Sequence, residues 1–433
     1  MKSTGLTGRF ALRIVCPMEK LDRSRFAWTP SPTLPKKPAS FAGVGYDDMV
    51  ERARGLAARL AERAEACERL RRLPDDTERD LHEAGLFRFV QPARVGGAEL
   101  DVGIFVDVCA ALARTCPSTA WNVGNLASHH WMLGFFPPET QDELWDVSPD
   151  VLIATSLAFA GGRGRRVDGG WEVTGRWPLS SGVDNSDWNM LGFMVRERDD
   201  GPVVDQRFAL AHRSQYEVID TWHAMGLCGT GSKDVATKAL FVPERRTLSA
   251  WTFNGKPHPG SAINPGPLFK LPMMALGPYV LSGVMLGCAQ GAWDLVVGAA
   301  RKRNATNTGV PINVNPTVQI KVAEASVRID NAQVIMKRAC EHAMAEARSG
   351  REPQHEDKVR YRRDGFFATR LCFEAVNILM GIAGSGGLYT TGAMQRLFRD
   401  AHACNAHVMF SPDIQGAIFG QHALAAPGPP PLL

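Results

Sequence analysis

The spacing of apolar residues changes twice along this chain, and these changes constrain the fold more than any other feature. From 46 to 145, apolar residues recur at three- and four-residue steps, as in amphipathic helices. From 150 to 250 the apolar runs are short and are separated by glycine-rich turns, as in β-strands. Helical spacing returns from about 265. The pattern predicts a mainly α protein with a central β domain, a barrel or sandwich, followed by a C-terminal four-helix bundle.

Domain boundaries follow from the same changes of spacing. We expect a disordered tail over 1–44, which holds eight basic residues, two acidic residues and five prolines. The N-terminal helical domain then covers 45–147, the central β domain 148–262 and the C-terminal bundle 263–424. The proline-rich end, 425–433, is expected to be loose.

Composition argues against several kinds of partner. Lys and Arg number 49 and Asp and Glu number 45, so the net charge of +4 is too small to favour nucleic acid or an anionic membrane surface. Nine cysteines are scattered without CxxC spacing, and no secretory signal is recognisable, which predicts reduced thiols and a cytoplasmic location. No HExxH or similar ligand spacing is present, so we expect no metal.

One segment passes the length test for a membrane span, because the 23 residues 271–293 carry no formal charge. Two prolines interrupt this segment, and no second comparable span is apparent. Gly283, Gly287 and Gly291 recur every four residues and therefore share one helix face. This stripe predicts a buried helix that another backbone or a flat ligand approaches closely, and no membrane partner.

Short strings along residues 46–424 resemble the acyl-CoA dehydrogenase fold. The strings are Gly85-Leu86-Phe87-Arg88, Val173-Thr174-Gly175-Arg176-Trp177, Trp222-His223-Ala224-Met225-Gly226-Leu227, Thr230-Gly231-Ser232 and Arg399-Asp400-Ala401. Many dehydrogenases of this fold carry a carboxylate base in a Tyr-Glu-Gly string after the last of these. Here 405–409 reads Asn-Ala-His-Val-Met and contains no Glu.

Within that fold, the chain is similar to the oxygenase components of two-component flavin-dependent monooxygenases, the p-hydroxyphenylacetate hydroxylase-like branch. Ser118-Thr119-Ala120-Trp121 and the histidine after Arg-Asp-Ala carry this likeness. The resemblance implies that a separate NAD(P)H-dependent flavin reductase supplies reduced FMN or FAD. The oxygenase would bind the reduced flavin, react it with O2 and hold the resulting flavin C4a-hydroperoxide in a site that excludes water. It would then hydroxylate a small aromatic substrate, with a phenol favoured.

The resemblance also implies roles for individual residues. His407 is expected to bond the phenol oxygen and take its proton, and His129 to face the same pocket, with His130 as the near alternative. Ser181 would lie beside flavin N5, and Ser156 near the substrate and flavin. Further flavin contacts are expected from Trp121, Ser180, Arg301, Arg303, Gly386 and Gly387, and further pocket lining from Met273 and Met274.

Other functions stay open at this point. An FAD-dependent dehydrogenase of the acyl-CoA type would need another base, for which Asp294 is a weak candidate. A flavin monooxygenase acting on sulfur or nitrogen and a non-enzymatic binding protein are the remaining alternatives. We expect a homotetramer built around the bundle, because the glycine stripe and the apolar surface of 361–384 would leave a monomer partly bare. The absence of Lys and Arg between 270 and 301 favours a larger, mostly apolar phenol.

Overall fold

The computed structural model describes residues 34–198, 200–428 and 431–433. It contains the predicted succession of a helical region, a β region and a second helical region. The helices of the described residues are α1 (Tyr46–Gly55), α2 (Ala57–Leu70), α3 (Asp75–Glu83), α4 (Ile104–Ala113), α5 (Pro117–Leu133), α6 (Pro138–Trp145), α7 (Met273–Ala300), α8 (Pro316–Ser349), α9 (His355–Ala383), α10 (Ala393–Asn405) and α11 (Ala417–Ala423). The strands are β1 (Ile153–Ser156), β2 (Gly162–Val167), β3 (Gly170–Ser180), β4 (Trp188–Arg196), β5 (Val203–His212), β6 (Glu217–Ile219), β7 (Lys233–Pro243) and β8 (Thr247–Ser249). The predicted fold class is confirmed.

The central domain is one curled sheet in the order β6-β7-β3-β2-β4-β5-β8, with β1 parallel to β4. Its inner face has an apolar core of its own, which includes Trp171, Trp177 and Phe193. Short apolar runs predict strands at 151–154, 170–175, 188–191, 208–210 and 239–242, which correspond to β1, β3, β4, β5 and β7, but three strands were missed. Strand β2 reads Gly-Arg-Gly-Arg-Arg-Val, so it offers no apolar alternation, and β6 and β8 span only three residues each.

Helix α7 lies at the centre of the molecule and packs against α4 of the N-terminal domain and α9 of the bundle. Its glycine stripe faces α4, where a Cβ atom at any of the three glycines would overlap a backbone carbonyl oxygen. Those carbonyl groups belong to Val106, Ala110 and Arg114. The close approach of another backbone is therefore confirmed. Because that backbone belongs to the same chain, the stripe gives no reason to expect a subunit contact.

Two helical segments are long and apolar enough to cross a membrane, α7 and the stretch His355–Leu388. The expectation that 271–293 has no comparable second segment is therefore wrong. Within the fold, 72% of the apolar window of α7 is buried, against 44% of the other window. Core packing in the bundle accounts for the composition of α7.

Both predicted tails make contacts where the structure describes them. Residues 1–33 of the first tail lie outside the described part, but Phe41 is 3% exposed and its backbone N–H donates to the carbonyl of Gly96 at 2.8 Å. At the other end, Leu433 is 6% exposed and the Leu432 carbonyl accepts from Arg362 at 3.0 Å. The prediction of a disordered 34–44 and of a loose C-terminus is wrong at these residues, because apolar side chains there reach the core.

Candidate active site

The three domains meet at the loop 222–232, between β6 and β7. Helix α5 holds the loop on one side, since Ser118 accepts from the Gly229 N–H at 3.2 Å and Asn122 donates to the Gly229 carbonyl at 3.1 Å. Helix α10 holds the other side, where a Cβ atom at Gly226 would overlap the Arg399 backbone. The loop thus ties the N-terminal domain, the sheet and the bundle together.

A buried carboxyl group fixes the backbone of this loop. Leu227 has a left-handed conformation with φ of 50°, unusual for a residue with a branched side chain. Its N–H donates to Asp400 of α10 at 2.6 Å. Burial raises the pKa of Asp400 to about 7. The contact explains the Asp of the Arg-Asp-Ala string, which orients the loop from the bundle side.

A chain of side-chain hydrogen bonds runs from this loop to α5. Trp121 donates its indole N–H to the Ser181 hydroxyl at 3.1 Å, and that hydroxyl lies 2.7 Å from the Ser232 hydroxyl. Ser232 is in turn 2.7 Å from the Thr230 hydroxyl, which donates to the Leu227 carbonyl at 2.8 Å. We call Trp121, Ser181, Ser232, Thr230 and His407 the serine group, since the His407 ring completes it by packing edge-to-face on Trp121 with centroids 5.3 Å apart.

His407 lies just beyond the helix that carries Arg399-Asp400-Ala401. Helix α10 ends at Asn405, and His407 begins a short 3₁₀ turn in which its Nδ1 accepts the backbone N–H of Met409 at 3.3 Å. Burial lowers the pKa of this half-buried imidazole to about 4, so it is neutral at neutral pH. Because Nδ1 is an acceptor, the proton lies on Nε2, and His407 offers a hydrogen-bond donor.

His129 presents the opposite atom. Its Nδ1 contacts the Ile153 carbonyl at the start of β1, so Nδ1 carries the proton and Nε2 is an acceptor. The side chain is 2% exposed, and burial lowers its pKa to about 4. Both histidines are therefore neutral, and they have complementary free ring nitrogens.

His130, the alternative to His129, belongs to the core of the N-terminal domain. Its Nδ1 accepts from Trp145 and lies near the Gln91 amide, both at 3.2 Å, and its ring stacks on Trp145. Burial holds its pKa well below the usual value. The structure therefore separates the two adjacent histidines, and the placement of His130 in the substrate pocket is wrong.

Two further serines lie on the sheet side of the site. Ser156 ends β1 and donates to the Pro178 carbonyl at 2.7 Å, while Ser180 accepts from Asn189 at 2.8 Å. Both are at most 2% exposed, against 9% for Ser181. Among these three serines, Ser181 is therefore the most accessible residue.

The start of α7 contributes apolar side chains. Met273 and Met274 are 4% and 7% exposed, and Met409 packs over Gly277, with its Cε 3.2 Å from where a Cβ would stand. Met409 is two residues from His407, so this apolar contact joins the start of α7 to the histidine turn. The arrangement provides a flexible apolar wall beside the histidine.

The remaining predicted flavin contacts, which we call the glycine-loop group, come from the end of α7 and from the turn after α9: Arg301, Arg303, Gly386 and Gly387. Arg303 donates to the carbonyls of Ile382 and Ala383 at 2.6 and 2.7 Å and so caps the end of α9. Its Nη1 lies 3.7 Å from the Cβ position of Gly386. Arg301 is exposed at the end of α7. Hydrogen bonds and ring contacts recorded for the described residues do not connect this cluster to the serine group.

Sequence reasoning missed three residues of the site: Thr230, Ser232 and Asp400. All three stand in strings that carried the family resemblance, Thr-Gly-Ser and Arg-Asp-Ala, so the signal was present but was used only for the fold. Their roles depend on contacts between domains, which spacing along the chain does not reveal. Within the described ranges, no group of three or more His, Cys, Asp or Glu side chains is arranged to hold a metal ion.

Comparison with known protein families covers both helical domains. Residues 46–145 match the acyl-CoA dehydrogenase N-terminal domain, and residues 279–412 match the acyl-CoA dehydrogenase C-terminal domain.

Individual relatives are more specific. The chain is 36% identical to the flavin-dependent monooxygenase oxygenase subunit HsaA of Mycobacterium tuberculosis, over 86% of this chain and 94% of the relative. The crystal structure of that HsaA has a TM-score of 0.84 and 33% identity, covering 90% of this chain and all of that one. The oxygenase component of the FADH2-dependent resorcinol hydroxylase of a Rhizobium species is 31% identical, over 87% and 94% of the two chains. XiaF from a Streptomyces species, solved with FADH2 and glycerol, has a TM-score of 0.80 and 28% identity, covering 88% and 96%.

Proposed function

Because this chain belongs to the oxygenase subunits of flavin-dependent monooxygenases, within the acyl-CoA dehydrogenase fold, we propose that it uses reduced flavin and O2 to hydroxylate a phenol. The observation that carries the proposal is the serine group. It joins a hydroxyl, an indole and a neutral histidine in one contact network where the three domains meet.

The residues of the serine group fit a flavin. Ser181 keeps a hydroxyl lone pair at the edge of the network, and a flat ring could lie against it without disturbing the bonds already made. When bound, reduced flavin would supply the two electrons that activate O2, so that one oxygen atom of O2 goes to the substrate and the other leaves as water. The protein's own contribution is to bind the flavin, exclude water and orient the phenol.

The two neutral histidines divide the handling of the phenol. His129 offers an unprotonated Nε2 that can accept the phenolic proton, and His407 offers an Nε2–H that can donate to the oxygen left behind. Removing the proton raises electron density on the ring, which favours transfer of oxygen to it. This refines the sequence-based role of His407, which becomes the donor to the phenolate oxygen, while His129 takes the proton.

Dehydrogenase chemistry is less well supported, because the two carboxylates that could be considered as its base are already engaged. Asp400 is 3% exposed and holds the Leu227 N–H. Asp294 pairs with Arg114 and is half exposed, and it lines a cleft of about 690 Å³ between the N-terminal domain and the far end of α7. Neither is a free base beside the serine group.

We propose a substrate with a bulky apolar body, such as a polycyclic phenol. Met409, two residues from His407, packs against the start of α7, and 271–300 carries Asp294 as its one formal charge. A small phenol with a carboxylate would find no basic partner from this segment. Methionine side chains adapt to bulky apolar shapes, which suits such a ligand.

Two protein partners complete the proposal. A separate NAD(P)H-dependent reductase supplies the flavin, since the relatives are named as oxygenase subunits or components. Other copies of this chain form a homotetramer, because α8 exposes Ile320, Val327 and Val334 at seven-residue spacing, with 52–63% of each side chain accessible.

The eight described cysteines are free, as in a reducing cytoplasm.

The test is a reconstituted reaction. The purified protein is mixed with a flavin reductase, NADH, FMN or FAD, and either a polycyclic phenol or p-hydroxyphenylacetate, and hydroxylated product and H2O2 are counted per NADH. We expect coupled hydroxylation, with more product from the polycyclic phenol. Consumption of NADH with H2O2 as the sole product for every phenol tried, or oxidation of acyl-CoA thioesters, would rule out the proposal.

A further inference from the structure

The proton positions in the hydroxyl chain of the serine group are determined by its two ends. At one end the Thr230 hydroxyl is 2.8 Å from the Leu227 carbonyl oxygen, which can only accept, so Thr230 must donate there. At the other end the Trp121 indole N–H can only donate, so Ser181 must accept from it.

The two middle bonds then have one consistent direction. Thr230 has used its single proton on Leu227, so the 2.7 Å bond between Thr230 and Ser232 requires Ser232 to donate. Ser232 has then used its own proton, so the 2.7 Å bond to Ser181 requires Ser181 to donate. The Ser181 proton therefore points into the protein.

Ser181 is the member of this hydroxyl chain that has an unused hydrogen-bonding position. Exposure rises along the chain from 1% at Thr230 through 4% at Ser232 to 9% at Ser181. A hydroxyl has one proton and two lone pairs, and Ser181 has committed its proton and one lone pair. What it offers to a ligand is a single acceptor.

The carbonyl that sets this direction is held firmly. Leu227 also accepts from the Trp222 indole at 3.1 Å and from the Thr230 backbone N–H at 3.0 Å. Its own N–H is fixed by Asp400. The acceptor end of the chain is therefore positioned from both the sheet domain and the bundle.

We propose that Thr230 and Ser232 are positioning residues that make Ser181 an acceptor and thereby select reduced over oxidised flavin. This rests on the proposed function together with the position beside flavin N5 that the family resemblance implies for Ser181. Reduced flavin carries a hydrogen on N5 and can donate to Ser181. Oxidised flavin has a bare lone pair on N5 and meets a second lone pair.

Binding oxidised flavin with a hydrogen bond at N5 would require the whole chain to reverse. Ser181 would donate outward, Ser232 to Ser181 and Thr230 to Ser232, and the bond from Thr230 to Leu227 would be lost. The penalty is one net hydrogen bond, which corresponds to a preference of about two- to ten-fold for the reduced form.

The experiment measures the affinity of the full-length protein for both redox states of FMN and FAD, by anaerobic equilibrium dialysis with and without dithionite. Thr230→Val removes the hydroxyl while keeping the side-chain shape, and Thr230→Ser keeps the hydroxyl. Ser232→Ala breaks the chain one step later. Ser186→Ala is the matched control, because its buried hydroxyl donates to the Gly182 carbonyl at 2.8 Å outside the chain.

We expect Thr230→Val and Ser232→Ala to reduce the preference for reduced flavin by about two- to ten-fold, and Thr230→Ser and Ser186→Ala to retain it. The midpoint potential of the bound flavin should fall in step, by about 10–30 mV. The inference would be overturned if every variant that binds reduced flavin had the same ratio of affinities for reduced and oxidised flavin. It would also be overturned if Thr230→Val and Ser232→Ala lost affinity equally for both redox states. A wild-type protein that binds neither form would instead refute the proposed function.

Discussion

The serine group and the glycine-loop group differ in how fully one chain completes them. The hydroxyls of the serine group are all at most 9% exposed, and each makes hydrogen bonds to the other domains or to its neighbours. In the glycine-loop group, Arg303 caps α9, but Arg301 and Gly386 are exposed, and the Cβ position of Gly386 meets only Arg303 within 4 Å. The serine group is therefore a buried junction of three domains, whereas the glycine-loop group is an open edge, exposed to solvent.

This difference indicates a division of labour. A reaction that must exclude water needs groups that are fixed before the ligand arrives, and the serine group meets that condition. An open edge with an arginine and glycines suits a contact that is completed by something else, either a flavin phosphate or another copy of the chain. The chemistry is therefore expected at the first cluster and affinity at the second.

The largest effect is expected at the adjacent histidines His129 and His130. His129 is proposed to contact the substrate, whereas His130 packs in the core of the N-terminal domain. His129→Gln removes the Nε2 acceptor, and we expect product formation to fall by about 10²–10⁴-fold while H2O2 per NADH rises. His130→Gln is the matched control, because its side chain points to Gln91 and Trp145. It should lower the melting temperature but leave the ratio of product to H2O2 unchanged. Equal uncoupling by both variants would remove the distinction between site and core.

Asp400 tests whether the junction is anchored by a buried carboxyl group. Its pKa of about 7 in the folded protein, against 3.8 when exposed, means that the folded state holds the proton more tightly. This contribution to stability is fully present below pH 4 and is lost as pH rises to 7, at about 1.4 kcal/mol per pH unit. Asp400→Asn keeps an acceptor for Leu227 without the charge.

We therefore expect Asp400→Asn and the wild type to have similar melting temperatures near pH 4.5, and the variant to be the more stable protein at pH 8. Melting curves over pH 4–8 measure the difference, which should grow up to pH 7 and then level off. A difference that is constant over this range would show that Asp400 does not titrate there.

The two clusters were also unequally predictable from the sequence. The apolar spacing predicts helices at 104–113 and 276–301, and α4 and α7 agree with these bounds within a few residues, since burial of one face fixes both period and length. Strand β2 was not predicted, although it forms a hairpin with the next strand β3, because its arginines face solvent and alternate with glycines rather than with apolar residues. A strand without apolar alternation gives no period-two signal in the sequence.

Residues of the candidate site were predicted only where a local string marked them. Ser181 and Trp121 were named from strings that resemble a family, and the structure brings them within 3.1 Å of each other. His407 was also named from such a string, but the position of its ring depends on the end of α10 at Asn405, and no residue pattern marks that end. The direction of the hydroxyl chain depends on one carbonyl in a left-handed turn at Leu227, and no spacing rule contains that information.

A smaller effect is expected at the exposed stripe of α8 (Ile320, Val327 and Val334), where this chain would meet another copy. Val334→Glu places a carboxylate on the exposed stripe of α8, and burying it unpaired between subunits costs about 2 kcal/mol or more. Light scattering should show a tetramer of the 47.2 kDa chain becoming smaller species. Leu424→Glu, at a site that is 81% exposed outside α8, should leave the mass unchanged. A wild-type protein that is monomeric would exclude the stripe as an interface.

The smallest effect belongs to the arginines of the glycine-loop group, and it separates affinity from redox selection. Arg301→Ala removes an exposed positive charge, for which we expect at most about a five-fold loss of flavin affinity. Because a flavin phosphate is the same in both redox states, the loss should be equal for reduced and oxidised flavin, unlike the change expected for Thr230→Val. Arg303→Ala should in addition lower the melting temperature, since it removes two hydrogen bonds from the end of α9. Anaerobic dialysis on both variants, beside their melting curves, measures all three quantities. If Arg301→Ala instead changed the ratio of the two affinities, the open edge would be taking part in redox selection, and the division between the two clusters would fail.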